Sequence, residues 1–188
     1  TTYLFTIGTN SADKGTFQAY DLNKLISNDN TALIKKIEDN DGSVRIDNPT
    51  DIATNIVGDI VYAYITSERE TGATLSYLES LSFDPSTSII SPDTSGIRSF
   101  SDWDFFASAS ITNGSKLFWL FSEEKGDNSE THLYNFEVTD GLASYPAGYR
   151  DNVKSTSSSV TLDDVNQLSS LTLNGKYYYI APNSGSTN

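Results

Sequence analysis

The sequence predicts an all-β chain: a propeller-like array of four-stranded antiparallel blades, about three units long and part of a larger ring or assembly. Three observations carry this expectation. A polar-apolar run, a tight turn and an aromatic-rich run recur as ATNI-VGD-IVYAYI around Gly58, ASIT-NGS-KLFWLF around Gly114 and SLTL-NGK-YYYIAP around Gly175. These glycines stand 56 and then 61 residues apart, and strand repeats of such a period build arrays of sheets. The composition suits many short strands joined by polar turns, with 11 Tyr, 9 Phe and only 20% charged residues. Finally, aromatic runs such as KLFWLF at 116–121 are apolar on both faces, as strands sandwiched between neighbouring sheets are.

The chain reads as one β domain, 1–188, divided into units at 1–46, 47–101 and 102–162 and a partial unit at 163–188. In the first, strands fall at 3–7 (YLFTI), 16–22 and 33–37, the innermost strand is missing, and residues 21–26 suit one helical turn. Strands of the second fall at 51–56, 60–65, 74–83 and 97–100. The third opens with the small-residue strand 106–111, which suits crowding at a central axis. Asn113-Gly114 then makes a type I′ hairpin into 116–121. Next come a charged loop at 123–128, an alternating strand at 131–138 and a polar outer strand at 157–161. Two inner strands, 168–173 and 177–180, close the chain. Thirteen strands cannot complete a ring of roughly 4–8 blades. Either further blades of the same precursor or other copies of the chain are therefore expected, and the loop-like tail 183–188 favours the first. A β-sandwich or prism with hairpins of similar length is the competing architecture.

The formal net charge is −13, and the densest basic run is Lys35-Lys36, inside an alternating strand. Nucleic acid is not an expected partner, because phosphate backbones need a positive patch. Membrane insertion is not expected either, since no apolar stretch nears the roughly 18 residues of a span. With no Cys, disulfides and thiolate metal sites are unavailable. With no Met, even at the start, a processed or excised chain is expected. The acidic, thiol-free, Ser/Thr/Asn-rich composition suits an extracellular or cell-surface setting.

No catalytic residue is assigned. His132 is the sole histidine, too little for a triad signal or a histidine-based zinc site. Carboxylates abound, and acid pairs perform glycoside hydrolysis. An acid recurs ten or eleven residues before each turn glycine, however: Asp47, Asp104 and Asp164. Such recurrence points to an architectural job, accepting backbone N–H groups where the chain enters an inner strand. Asp39-Asn40-Asp41-Gly42-Ser43 resembles the opening of an acidic Ca²⁺ loop but lacks the third spaced acid and the downstream bidentate Glu. It reads first as a turn, with Asp39 and Asp41 the candidate ligands and no other cofactor expected.

The most site-like run is RSFSDWD at 98–104, which supplies Arg98, Asp102, Trp103 and Asp104 at the passage from an outer strand to an inner one. One unit later, YPAGYRD at 145–151 offers Tyr145, Tyr149 and Arg150. Sugars are held by such groups, C–H faces stacking on an aromatic ring while Arg, Asp and Asn bond the hydroxyls. The structural alternative is that Trp103 packs between blades while Arg98 bridges to an acid.

The rhythm ASASI at 107–111, LFWLF at 117–121 and LYNFEVTDG at 133–141 resembles one blade of the six-bladed fungal fucose-binding lectins. The resemblance covers most of the chain as pattern and implies a propeller and glycan binding. That family holds its sugar with an Arg near the start of the aromatic strand and a Glu on the next. Here Phe118 and Asn135 stand in those places, and Val61 or Tyr62 in the second unit, so no residue role is carried over. The expected function is thus lectin-type carbohydrate binding. A protein-interaction or adhesion scaffold using aromatic loop tips is the alternative, followed by a carbohydrate-active enzyme with acids converging on a central channel.

Overall fold

The computed structural model describes residues 1–10, 14–68, 75–92, 98–101, 103–113, 116–125, 131–138, 151–154, 165 and 167–181. These form four antiparallel sheets, each made from consecutive strands. The first contains β1 (Tyr3–Thr9), β2 (Gly15–Asp21) and β3 (Leu33–Glu38), with the one-turn helix α1 (Leu22–Ile26) between β2 and β3. Asp21 starts that turn by accepting from the Asn23 and Lys24 amides at 3.0 and 3.2 Å. The second sheet runs β4 (Pro49–Val57), β5 (Ile60–Ser67), β6 (Leu75–Asp84) and β7 (Ile89–Pro92), with β8 (Arg98–Ser101) also paired to β6. In the third, β9 (Trp103–Asn113), β10 (Lys116–Lys125), β11 (Thr131–Val138) and β12 (Asp151–Lys154) follow in order, and β13 (Ser169–Leu173) and β14 (Lys176–Ile180) make the fourth.

The chain is therefore all-β, as its composition requires, but its sheets are not uniformly four-stranded. They hold three, five, four and two strands among the described residues. In the second sheet the outer edge is split, because Asp84 turns the chain sharply after β6. Its carboxylate accepts from the Ser86 amide at 2.8 Å and from the hydroxyls of Ser86 and Thr87 at 2.7 and 2.9 Å. The returning β7 covers only residues 81–84 of β6, and β8 fills the other half opposite Leu75 to Leu78. In the third sheet the outer strand is β12, opposite His132 to Asn135, earlier than the strand expected at 157–161, which lies outside the described residues.

Consecutive sheets stack face to face, and strand alternation decides what each face buries. On β5, Val61, Ala63 and Ile65 face the first sheet and meet Phe17, Ile37, Val44, Ile46, Leu81 and Phe83. The intervening Tyr62 and Tyr64 face the third sheet, where Phe105, Trp119 and Phe121 cover them. On β10 the alternation repeats: Trp119 and Phe121 point back, while Leu120 points forward to Val165, Leu168 and Tyr179. Three apolar layers thus lie between four sheets. The cross-strand pairs Thr54–Ala63, Ser110–Trp119 and Ser170–Tyr179 occupy matching places in three successive sheets. So do Asn55–Tyr62, Ile111–Phe118 and Leu171–Tyr178. Among the described residues the stack does not close into a ring.

The hairpin turns follow the expected chemistry where they are described. Asn174 and Gly175 both adopt positive φ, 52° and 69°, the type I′ requirement, and Gly58 sits at 62°. Gly15 is required for a different reason: a Cβ there would lie 1.5 Å from the Ile46 carbonyl oxygen, so the loop 39–46 can close only over a bare backbone. Among the described residues no helix is long and apolar enough to cross a membrane.

Candidate functional site

Two sets of polar groups matter: the run at 98–104, and a line of hydroxyls and a carboxylate where the sheets meet. The second was not anticipated, and it explains how the first is positioned. Among the described residues, strands β4, β9 and β13 are each the first strand of their sheet and pair on one side only, so alternate backbone groups of each have no ladder partner there. Side chains from adjacent sheets complete them. The Ser110 hydroxyl donates to the Thr54 carbonyl at 2.9 Å, and the Ser170 hydroxyl to the Ser110 carbonyl at 2.6 Å. These bonds span 56 and 60 residues, so they are one interaction repeated at the period of the sequence. Asp51 accepts the Ser108 amide of β9 through Oδ2 at 2.8 Å and its neighbour's amide, Ile52, through Oδ1 at 2.8 Å.

Bulges supply a second recurring tie. The β4–β5 register slips at Thr50, whose hydroxyl donates to the Phe105 carbonyl at 2.7 Å. The β9–β10 register slips at Ser122, whose hydroxyl donates to the Val165 carbonyl at 2.7 Å while accepting the Ala107 amide at 3.0 Å. At Thr50 the extra residue of the bulge itself carries the hydroxyl, whereas at Ser122 the extra residue lies on β9, where Phe106 and Ala107 stand opposite Ser122; both irregularities aim a hydroxyl at the incoming chain of the next sheet. Trp119 joins the network, its indole Nε1 donating to the Ser108 hydroxyl at 2.8 Å, and that hydroxyl donates to the Tyr64 carbonyl at 3.3 Å.

Burial sets the electrostatics. Loss of solvent pushes the Asp51 carboxyl above its ordinary value, and the Ser108 and Ile52 amides offset this only in part. Asp51 does for β9 the kind of job expected of Asp47, Asp104 and Asp164, accepting a backbone amide of an inner strand, and Asp164 lies outside the described residues. The signal that could have revealed it is the alternation of Thr54, Ser108, Ser110 and Ser170 on innermost strands, which residue size alone also explains.

Of the predicted binding residues, the backbone brings three to one end of the second and third sheets. Arg98 lies on β8 opposite Leu78 of β6. Trp103 begins β9 opposite Lys125, and Asp104, half-buried, stands opposite Glu124. The next residue, Phe105, is fully buried and edge-on to Phe121 at 5.5 Å, while its carbonyl takes the Thr50 hydroxyl. The start of β9 is therefore fixed immediately after Asp104. Asp102, Tyr145, Tyr149 and Arg150 lie outside the described residues.

Asp39 and Asp41 act as turn residues. Asp39 is buried, its Oδ1 accepting the Ile46 amide at 3.1 Å and its Oδ2 the Asn40 side-chain amide, and burial raises its carboxyl above the usual range. Asp41 is exposed and closes the turn through backbone bonds with Glu38 and Val44. Among the described residues no three His, Cys, Asp or Glu side chains gather as a metal site. Compared with known proteins, the sequence matches no family model and no curated protein.

Proposed function

We propose that this chain is a lectin-type, glycan-binding protein of the cell surface or extracellular space, its stacked sheets serving as blades of a propeller-like array. The blade reading rests on consecutive sheets with polar, small-residue first strands tied across 56 and 60 residues. The acidic, cysteine-free composition supports the location. The glycan is held at the strand ends of the second and third sheets, where β8 hands the chain to β9.

One observation carries the binding reading: Arg98, Trp103 and Asp104 share that end of two adjoining sheets, beside the buried anchor Phe105. A sugar ring stacks on the Trp103 indole, the Arg98 guanidinium donates to ring hydroxyls and the Asp104 carboxylate accepts from them. An anchored strand start limits the ordering cost of binding. Trp103→Ala is expected to abolish retention on a glycan array while leaving the strand signal in circular dichroism intact. Unchanged glycan binding by that variant takes Trp103 out of the site.

A further inference from the structure

Trp103 and Asp104 belong to the third sheet, yet side chains of the second sheet hold the strand that follows them. Four consecutive residues after Asp104 each give a backbone group to a neighbouring side chain. The Phe105 carbonyl takes the Thr50 hydroxyl at 2.7 Å, and the Phe106 carbonyl lies 3.4 Å from the Thr66 hydroxyl. The Ala107 amide goes to Ser122 and the Ser108 amide to Asp51. Three of these four partners, Thr50, Asp51 and Thr66, belong to the second sheet. Thr50 and Thr66 work as a pair: their hydroxyl oxygens stand 3.1 Å apart, and Thr66 is fully buried. With the Thr50 proton committed to Phe105, its oxygen is left to accept from Thr66, and each bond polarises the next. Among the described residues the following junction uses a single hydroxyl for this work. Ser122 holds on β10 the place that Thr66 holds on β5, and it both donates to the Val165 carbonyl and accepts the Ala107 amide. Thr50 is the addition, and its bulge aims the hydroxyl at the residue next to Asp104.

We infer that Thr50 is a positioning residue for the glycan site, acting through the Phe105 carbonyl and backed by Thr66. This role rests on the glycan reading of Arg98, Trp103 and Asp104. Arg98 lies on the second sheet and the other two on the third, so whatever joins the sheets there sets the two halves of the site relative to one another. A slack start to β9 would let Trp103 and Asp104 shift against Arg98 and add their ordering to the cost of binding. The Thr50 hydroxyl removes that cost before the glycan arrives. The coupling is reciprocal: a glycan held by residues of both sheets tightens Phe105 to Ser108 against the second sheet.

Three variants of the full chain test this. Thr50→Val keeps the side-chain shape and removes the donor, Thr50→Ser keeps the donor, and Ser170→Ala removes a tie at the next junction. Each is followed by urea unfolding, by retention on a glycan array and by amide hydrogen exchange of residues 103–108. Thr50→Val is expected to weaken binding of the array glycans that the wild type retains roughly tenfold, and to speed exchange at 103–108 by a similar factor. Thr50→Ser is expected to restore both. Ser170→Ala is expected to lower the urea midpoint while leaving retention and these amides unchanged. A saturating amount of a retained glycan is expected to slow exchange at 105–108 in the wild type. Wild-type retention or wild-type exchange in Thr50→Val overturns the inference, as does a loss of retention that merely follows stability in both Thr50→Val and Ser170→Ala. A wild-type chain that retains no glycan overturns the glycan reading instead, and the exchange result alone then decides whether Thr50 fixes the start of β9.

Discussion

The junction between the first and second sheets and the junction between the second and third join similar sheets by different means. At the first, the contact is carbon against carbon: Phe5 stacks on Phe17 at 5.7 Å, and Tyr3 and Phe5 meet Phe83 edge-on at 5.3 and 5.5 Å. Two acids are buried beside these rings, each holding a backbone amide: Glu79 accepts the Arg45 amide at 2.8 Å and Asp39 the Ile46 amide, closing the loop 39–46 over Gly15. At the second, Trp119 lies against Tyr64 and Phe121, both at 5.3 Å, but hydroxyls and a carboxylate run alongside. The difference follows from which strands meet. The first sheet has no small-residue strand beside β4, so large rings fill the layer. In the second junction two sheet edges, β4 and β9, come side by side, and their unpaired backbone groups must find partners. Serine, threonine and aspartate supply them.

The largest effect that would sharpen this contrast is at Trp119. It is fully buried and bridges the apolar and polar parts of the second junction, so Trp119→Ala is expected to cost about 3–5 kcal/mol in urea unfolding. Tyr179→Ala, at the matching place in the fourth sheet, is expected to cost less, because that half-buried side chain keeps part of its contact with water. There burial pushes its hydroxyl pKa up to about 12. Equal losses would mean that the two sheets do not share a packing scheme.

A smaller and pH-dependent effect is expected at Asp51. Its raised carboxyl means that the folded state holds the proton more tightly than the unfolded chain does. Its contribution is therefore most favourable at acid pH and declines as pH rises from the unfolded value of 3.8 through the folded one. Asp51→Asn keeps an oxygen for the Ser108 amide and is expected to flatten that decline. Asp51→Ala leaves the amide unpaired and is expected to cost about 1–3 kcal/mol. Asp29 and Asp84 are shifted down by hydrogen bonds and tilt the profile the other way, so the comparison is wild type against variant at each pH. A variant profile parallel to the wild type would remove Asp51 from the titration.

Much of the strand order was legible, because alternation and turn chemistry are local. Residues 3–7, 16–22, 33–37, 60–65 and 131–138 read as strands from side-chain pattern alone, and β1, β2, β3, β5 and β11 lie there. The short β7 escaped notice because its four residues carry no pattern of their own; the Asp84 turn creates it. Residues 157–161 drew attention from β12 because Ser-Ser-Ser-Val-Thr has strand character that Asp-Asn-Val-Lys lacks. The ties of Asp51, Ser110 and Ser170 were illegible for a different reason. Their partners lie 56 to 60 residues away, and a Ser on a strand does not announce which edge it will face. The candidate site was legible in part: sequence proximity brought out Arg98, Trp103 and Asp104, but not the Thr50 and Phe105 anchor that fixes where β9 begins.

The central claim is that each sheet leans on the next through one repeated register, and proximity across the first strands tests it most directly. The chain has no cysteine, so pairs can be introduced cleanly: Thr54→Cys with Ser110→Cys, Ser110→Cys with Ser170→Cys, and the skipping pair Thr54→Cys with Ser170→Cys. A short thiol-bridging reagent should close both neighbouring pairs rapidly and leave the skipping pair open. Equal closure of all three, or failure of either neighbouring pair, would contradict the stacked order.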